Sequence, residues 1–360
     1  MKIVKIAKKI VKSVILLPIQ YAYMLPFRKK LCTCKIKENL VIPSEAIMLQ
    51  AEIMPVYKNK KGIVTIVSDD GVFSTAKVLN EYCKIYNVPI TVAGTVRNII
   101  PHLLFWSKKK NDLLELVNHS YNHIRMEEGR IISSNEKKLK HEIVDSKAFI
   151  EKITGKKCIA FVCPENQMCQ KGYKLLKETG YCSVAQGSRG YNELSFDKDA
   201  KNTTAGSWYN LRRMGIRDKS DDLTKMRETW VNYTIDNNKW LIEMWHNVND
   251  DIDKGYQTIT LSEAKQHLEY IKSHEDDVWI ASLSDATKYI KEKQHAIVKA
   301  WYHNGKIGCY IDFDEPLDEE LYRQELTIKI DGDNLPDRVG DRREYFVDLE
   351  PRCIKRISVR

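Results

Sequence analysis

Two short apolar runs, each ending in side chains suited to a metal, constrain this 360-residue chain more than any other feature. The first, Gly62-Ile-Val-Thr-Ile-Val-Ser68, is uncharged and β-branched, reads as a buried strand, and ends at Asp69-Asp70-Gly71. The second, Leu113-Leu-Glu-Leu-Val117, reads as another strand and leads into His119-Ser120-Tyr121-Asn122-His123. In barrels of strand-helix units the C-terminal strand ends carry the active site, because the loops leaving them converge on one pocket. Neighbouring side chains on extended backbone point opposite ways, so one aspartate can ligate a metal while the other faces a substrate. His119 and His123 are four apart, and on a helical turn both rings lie on one face. Two imidazoles and a carboxylate leave coordination positions open, which suits a catalytic site better than a closed structural one. Zinc fits this donor set best, and Co, Ni, Mn or Fe also fit.

The alternation of strands and helices continues along the chain. Ser133-x-x-Glu136 is a capping-box signature that predicts a helix running to Gly155, a residue type expected just past a helix end. Ile159-Ala-Phe-Val-Cys-Pro164 and Trp240-Leu-Ile-Glu-Met-Trp245 read as further strands, the latter followed by His246. Thr260-x-x-Glu263 opens a predicted helix from Ser262 to Ser273, followed by a strand from Asp277 to Ser282 and a helix from Ser284 to Lys293. Residues 187–239 are polar and read as a long irregular insertion carrying Trp208, Tyr209, Trp230 and Tyr233, aromatics suited to stacking on a ligand or to anchoring their own loop.

These motifs resemble those of the NodB-like polysaccharide deacetylases, carbohydrate esterase family 4. Val67-Ser-Asp-Asp-Gly71 corresponds to the family's Thr-Phe-Asp-Asp-Gly, His119 to His123 to its His-Ser/Thr-x-x-His, and Met244-Trp245-His246 to its late Leu-x-His. The resemblance covers roughly residues 60 to 293. It implies an α/β fold, a distorted (β/α) barrel of the NodB-like type. It also implies Asp69 as catalytic base, Asp70, His119 and His123 as metal ligands, and His246 as general acid. The third motif, Arg-x-Pro-Tyr, departs from the pattern: Val162 stands at the arginine, Pro164 is kept, and Glu165 replaces the tyrosine. The main-chain N–H of Glu165 can still serve an oxyanion, and Pro164, Glu165 and Trp245 are the expected substrate and oxyanion residues. The absent arginine leaves Asp69 without its expected support unless Arg189, Arg212 or Arg213 reaches in from elsewhere. The implied reaction is metal-assisted amide hydrolysis, with Asp69 taking a proton from water and His246 protonating the leaving amine.

Beyond residue 296 the pattern changes to short alternating runs, Val298 to His303, Lys306 to Asp312, Glu325 to Ile330, Tyr345 to Leu349 and Cys353 to Val359. Asn304-Gly305 is a type I′ hairpin signal between the first two. A small C-terminal antiparallel β module follows, better suited to covering a side of the barrel than to binding carbohydrate. The expected organisation is a basic segment at 1–30, the barrel at 31–296 and the β module at 297–360.

The first thirty residues hold eight Lys or Arg and no acid, which accounts for +8 of the net charge of +9. The remainder is almost neutral, so the basic balance does not signal a nucleic-acid partner. Ile3, Ile6, Ala7, Ile10 and Val14 share one helical face, with lysines largely on the other, as in a helix lying at an anionic membrane interface. The alternative is a segment packed on the barrel. The apolar stretch Val14 to Phe27 contains Pro18 and Pro26 and falls short of the roughly twenty residues needed to span a bilayer. No small-x-small cleavage site is evident, so a cleaved signal peptide is not favoured while a signal anchor stays open. Nine irregularly spaced cysteines argue for a reducing compartment, and Cys32-x-Cys34 is too close for a usual zinc knuckle. Together these features favour the cytoplasmic side of a bacterial cell, with membrane association through the N-terminus. The functional expectation is removal of N-acetyl groups from an N-acetylated sugar or polysaccharide in envelope assembly. The alternatives are a catalytically impaired glycan-binding relative, or a deacylase of an ester or non-sugar amide. A basic side chain in reach of Asp69 favours hydrolysis, and an apolar wall favours the binding protein.

Overall fold

A computed structural model describes residues 40–108, 112–196, 206–215, 222–251, 255–318, 320–333, 335 and 344–358. The basic segment 1–30 and Cys32-x-Cys34 lie outside the described residues.

Seven parallel strands form a closed barrel: β3 (Gly62–Ser68), β4 (Ile90–Gly94), β5 (Leu114–Asn118), β6 (Ala160–Val162), β7 (Ser183–Arg189), β8 (Leu211–Gly215) and β9 (Trp240–Trp245). Closure comes from β3 and β9, paired in register from Ile63↔Trp240 to Ser68↔Trp245. A short strand, β10 (Val278–Ile280), pairs with Gly62 to Val64 on the edge of β3 that β4 takes over at Val67 and Ser68. All seven residues of β3 are buried, as a strand covered on both faces requires, which is why its sequence is a continuous apolar run and not an alternating one.

Helices α1 (Phe73–Tyr86), α2 (Ser146–Thr154), α3 (Gln170–Glu178), α4 (Leu223–Asp236), α5 (Leu261–Ser273) and α6 (Leu283–His295) flank the barrel. The Thr260/Glu263 capping box is present in both directions at the start of α5. Gly155, with φ 68°, ends α2 as expected. The helix predicted from Ser133 differs. It is broken into Ile131–Ser134, Glu136–Lys140, a π-helical turn at His141–Asp145, and α2. Asn135, not Ser133, caps its second piece, accepting the Lys138 N–H. The insertion expected at 187–239 also differs, because it contains the end of β7, all of β8 and α4. Trp208, Tyr209 and Trp230 are buried there, so they anchor the barrel wall, and only Tyr233 is exposed.

All five C-terminal strands form: β11 (Ala296–His303), β12 (Lys306–Phe313), β13 (Leu326–Asp331), β14 (Glu344–Leu349) and β15 (Ile354–Ser358). Asn304 and Gly305, at φ 48° and 75°, make the hairpin turn between β11 and β12. Two N-terminal strands, β1 (Ile47–Leu49) and β2 (Ala51–Ile53), complete the sheets in the orders β1-β11-β12-β15 and β14-β13-β2. Residues from both sides of the barrel sequence therefore build this layer. Its separate core includes Tyr289 of α6, whose hydroxyl donates to the Met54 carbonyl, and Tyr289 packs with Tyr57 and Trp279. Among the described residues no helix is long and apolar enough to cross a membrane.

Candidate active site

The Asp69-Asp70-Gly71 turn leaves the C-terminal end of β3, where the strand twist and the next helix force a tight reversal. Asp70 takes φ 72° and Gly71 φ 68°, and a Cβ on Gly71 would meet the Gly94 Cα at 2.8 Å. Only glycine lets the turn approach β4 so closely. The Asp70 carbonyl is held by the Asn98 side-chain amide at 2.9 Å. Asp69 is buried, and its N–H donates to the Trp245 carbonyl at 2.8 Å, tying it to the end of β9.

His119 and His123 do not lie on a helical turn. They bracket a loop in which Ser120 and His123 adopt φ 70° and 60°, and the Ser120 Oγ accepts the His123 N–H at 3.0 Å. The buried Glu142 carboxylate, from the π-helical turn, accepts the Tyr121 and Asn122 N–H groups and the Asn122 side-chain amide. The rings converge nonetheless: the Nε2 atoms of His119 and His123 lie 3.6 and 3.2 Å from the Asp70 Oδ1. His119 Nδ1 is 2.8 Å from the Val162 carbonyl, which can only accept, so Nδ1 carries a proton and Nε2 is the ring nitrogen that faces Asp70.

The donor atoms of Asp70, His119 and His123 lie within 4.8 Å of one another, the only such group among the described residues. Their chemistry and the fixed His119 tautomer fit a divalent metal. Burial works to raise the Asp70 pKa, but the two imidazoles outweigh it and hold the carboxyl well below its usual range. The Asp70 carboxylate, in turn, raises the pKa of His123.

Of the three candidate arginines, the one that reaches Asp69 comes from β8. Arg213 Nη1 donates to both Asp69 oxygens at 2.8 Å, Nε donates to the Gln186 carbonyl at 3.1 Å, and Nη2 donates to the Asn166 side chain. Each guanidinium nitrogen thus has its own partner. Of the other two candidates, Arg189 sits against Trp230 and the Gly215 carbonyl, and Arg212 points to the other face of β8. Asn166 and Gln186 were not singled out in the sequence, because neither belongs to a motif. Asn166 follows Pro164-Glu165 in a loop where both Glu165 (φ 49°) and Asn166 (φ 59°) are left-handed, a concentration of strain typical of a functional loop. Pro164 is buried, and the Glu165 carboxylate lies 3.7 Å from Arg125. Cys163 is buried beside Arg213 and Asp69, and burial pushes its thiol up, as expected for an inert packing residue.

His246, just past β9, is buried, its carbonyl accepts the Ser68 hydroxyl, and its Nδ1 has no hydrogen-bond partner among the described residues. Burial lowers its pKa, against the opposing pull of Asp69 and Asp70. Trp245 corrects the sequence expectation. Its indole donates to Glu243 at 2.9 Å and packs against Arg227 and His267, on the helix side of the strand. The period of two that turns His246 toward Asp69 turns Trp245 away, so only its carbonyl serves the site.

Residues 57–184 match the family model described as polysaccharide deacetylase. No curated protein sequence matches the chain. Solved structures similar to it include a protein designated a polysaccharide deacetylase from Mycobacterium smegmatis, at 16% identity and TM-score 0.48, covering 68% of this chain and 96% of that one. The Bc1960 peptidoglycan N-acetylglucosamine deacetylase is similar at 12% identity and TM-score 0.42, over 67% and 91%. A CE4 family pseudoenzyme from Bacillus anthracis is similar at 13% identity and TM-score 0.41, over 64% and 66%. Residues 57–184, which carry the aspartate pair and both histidines, are thus similar to the polysaccharide deacetylases, a family of hydrolases acting on amide bonds.

Proposed function

We propose that this protein is a metal-dependent deacetylase that removes N-acetyl groups from an N-acetylated sugar or glycan, with Asp69 as base and His246 as acid. The observation that carries the reading is the Arg213 contact to Asp69. The buried base keeps a cationic partner although the motif that usually supplies it is altered, which favours hydrolysis over a binding protein that has lost its chemistry.

Asp70, His119 and His123 would hold the metal, zinc by preference for this donor set. When bound, the ion supplies Lewis-acid polarisation of the acetamide and a more acidic water. Asp69, fixed by Arg213 and by its N–H bond to Trp245, accepts the proton of the attacking water. The Glu165 main-chain N–H, next to Pro164, would serve the developing oxyanion. His246 delivers a proton to the amine as the C–N bond breaks, giving acetate and a free amino sugar. The basic segment 1–30 and the cysteine content support a site of action at the cytoplasmic membrane face, on precursors of envelope polysaccharide.

The test is acetate release from a panel of N-acetylated oligosaccharides by metal-reconstituted protein, beside Asp69→Asn and His123→Ala. Release abolished in both variants, with metal lost only from His123→Ala, supports these roles. Stoichiometric metal with no release from any substrate refutes the deacetylase.

A further inference from the structure

Resting on the deacetylase reading above, we infer that Tyr256 is a stacking platform for the sugar ring that bears the acetamide, and so selects a pyranose over a simple amide. Tyr256 is 63% exposed, yet its ring stands edge-to-face with His246, the centroids 4.7 Å apart and the planes at 87°. A large exposed aromatic is ordinary in itself. What sets this one apart is how firmly its backbone is clamped to the strand that carries His246.

The Asn247 side-chain amide donates to the Tyr256 carbonyl at 3.2 Å, and the Ile259 N–H donates to the Asn247 carbonyl at 3.0 Å. Gly255, at φ 108°, lies so close to Asn247 that a Cβ there would sit 2.3 Å from Nδ2. Gln257 on the other side is held at φ 45°, a left-handed strain that persists only where surrounding contacts impose it. The loop therefore holds an aromatic ring in the open beside the residue that protonates the leaving nitrogen. That nitrogen is attached directly to the sugar ring, so the ring must lie beside His246, within reach of Tyr256. The C–H face of a pyranose is apolar and complements the face of a phenol ring, whereas an acyclic amide offers no such face.

Two readouts test this. In an Asp69→Asn background, calorimetric titration with N-acetylglucosamine oligomers reads binding without turnover. Tyr256→Ala should weaken it about tenfold, and Tyr256→Trp should hold or improve it. In the metal-loaded active enzyme, Tyr256→Ala should lose at least about tenfold more kcat/KM on the oligomer than on N-acetylethanolamine, chiefly through KM. Equal losses on both substrates, or unchanged oligomer binding, overturn the inference and leave Tyr256 as a structural neighbour of His246. If wild-type protein releases no acetate, the deacetylase reading fails, while the binding titration still decides the role of Tyr256.

Discussion

At the scale of residues, the site rests on a few side chains whose roles come from space and not from sequence proximity. Arg213 lies 144 positions from Asp69, yet its guanidinium donates to that carboxylate. The sequence offered it only as one of three candidates. Nothing local distinguishes it from Arg212, and only the alternation of β8 turns one inward and the other outward. Arg213→Ala leaves a buried, unpaired carboxylate and should lower kcat by about a hundredfold or more, with metal content unchanged. Arg213→Lys keeps the charge but cannot serve Asp69, Gln186 and Asn166 together, and should be intermediate. Steady-state kinetics with metal analysis checks both. Gly71→Ala forces a Cβ against Gly94 at positive φ and should lower stability by about 1–3 kcal/mol, read by denaturant unfolding.

At the scale of elements, β3 and β9 were legible to the residue, because strands buried on both faces write themselves as unbroken apolar runs. β8 was not, since Leu211-Arg-Arg-Met-Gly215 has neither an apolar run nor an alternation, its inward Arg213 reaching Asp69 where an apolar residue is expected. The helix from Ser133 to Gly155 was read as continuous because a capping-box signature and a glycine bound it, whereas a π-helical turn interrupts it at His141–Asp145. That turn places Glu142 beneath the histidine loop, where it takes up three N–H groups. It also explains why His119 and His123 converge without a helix between them. Glu142→Gln removes the charge from these bonds and should weaken metal binding about tenfold or more, as measured by competition with a chelator.

At the scale of the molecule, barrel and β layer meet along α6. Glu292 there is fully buried, and both its oxygens accept the Gln324 N–H. Burial raises its pKa to about 8, with the Gln324 bond and Lys288 acting the other way. A carboxyl that folds protonated contributes stability below its unfolded pKa and loses it as pH rises toward 8. Glu292→Gln should therefore gain stability relative to wild type between pH 5 and pH 8, seen as a Tm difference that widens with pH. A difference independent of pH would assign Glu292 another role.

The central claim is a metal-dependent deacetylase whose base is supported by Arg213, and acetate released per bound metal ion tests it most directly. Wild-type protein reconstituted with zinc should release acetate from N-acetylated oligosaccharides, lose that activity with chelator and regain it on re-addition of metal. Arg213→Ala should bind the same metal and release far less. Full metal occupancy without acetate from any N-acetylated substrate, or an Arg213→Ala protein as active as wild type, would contradict the account.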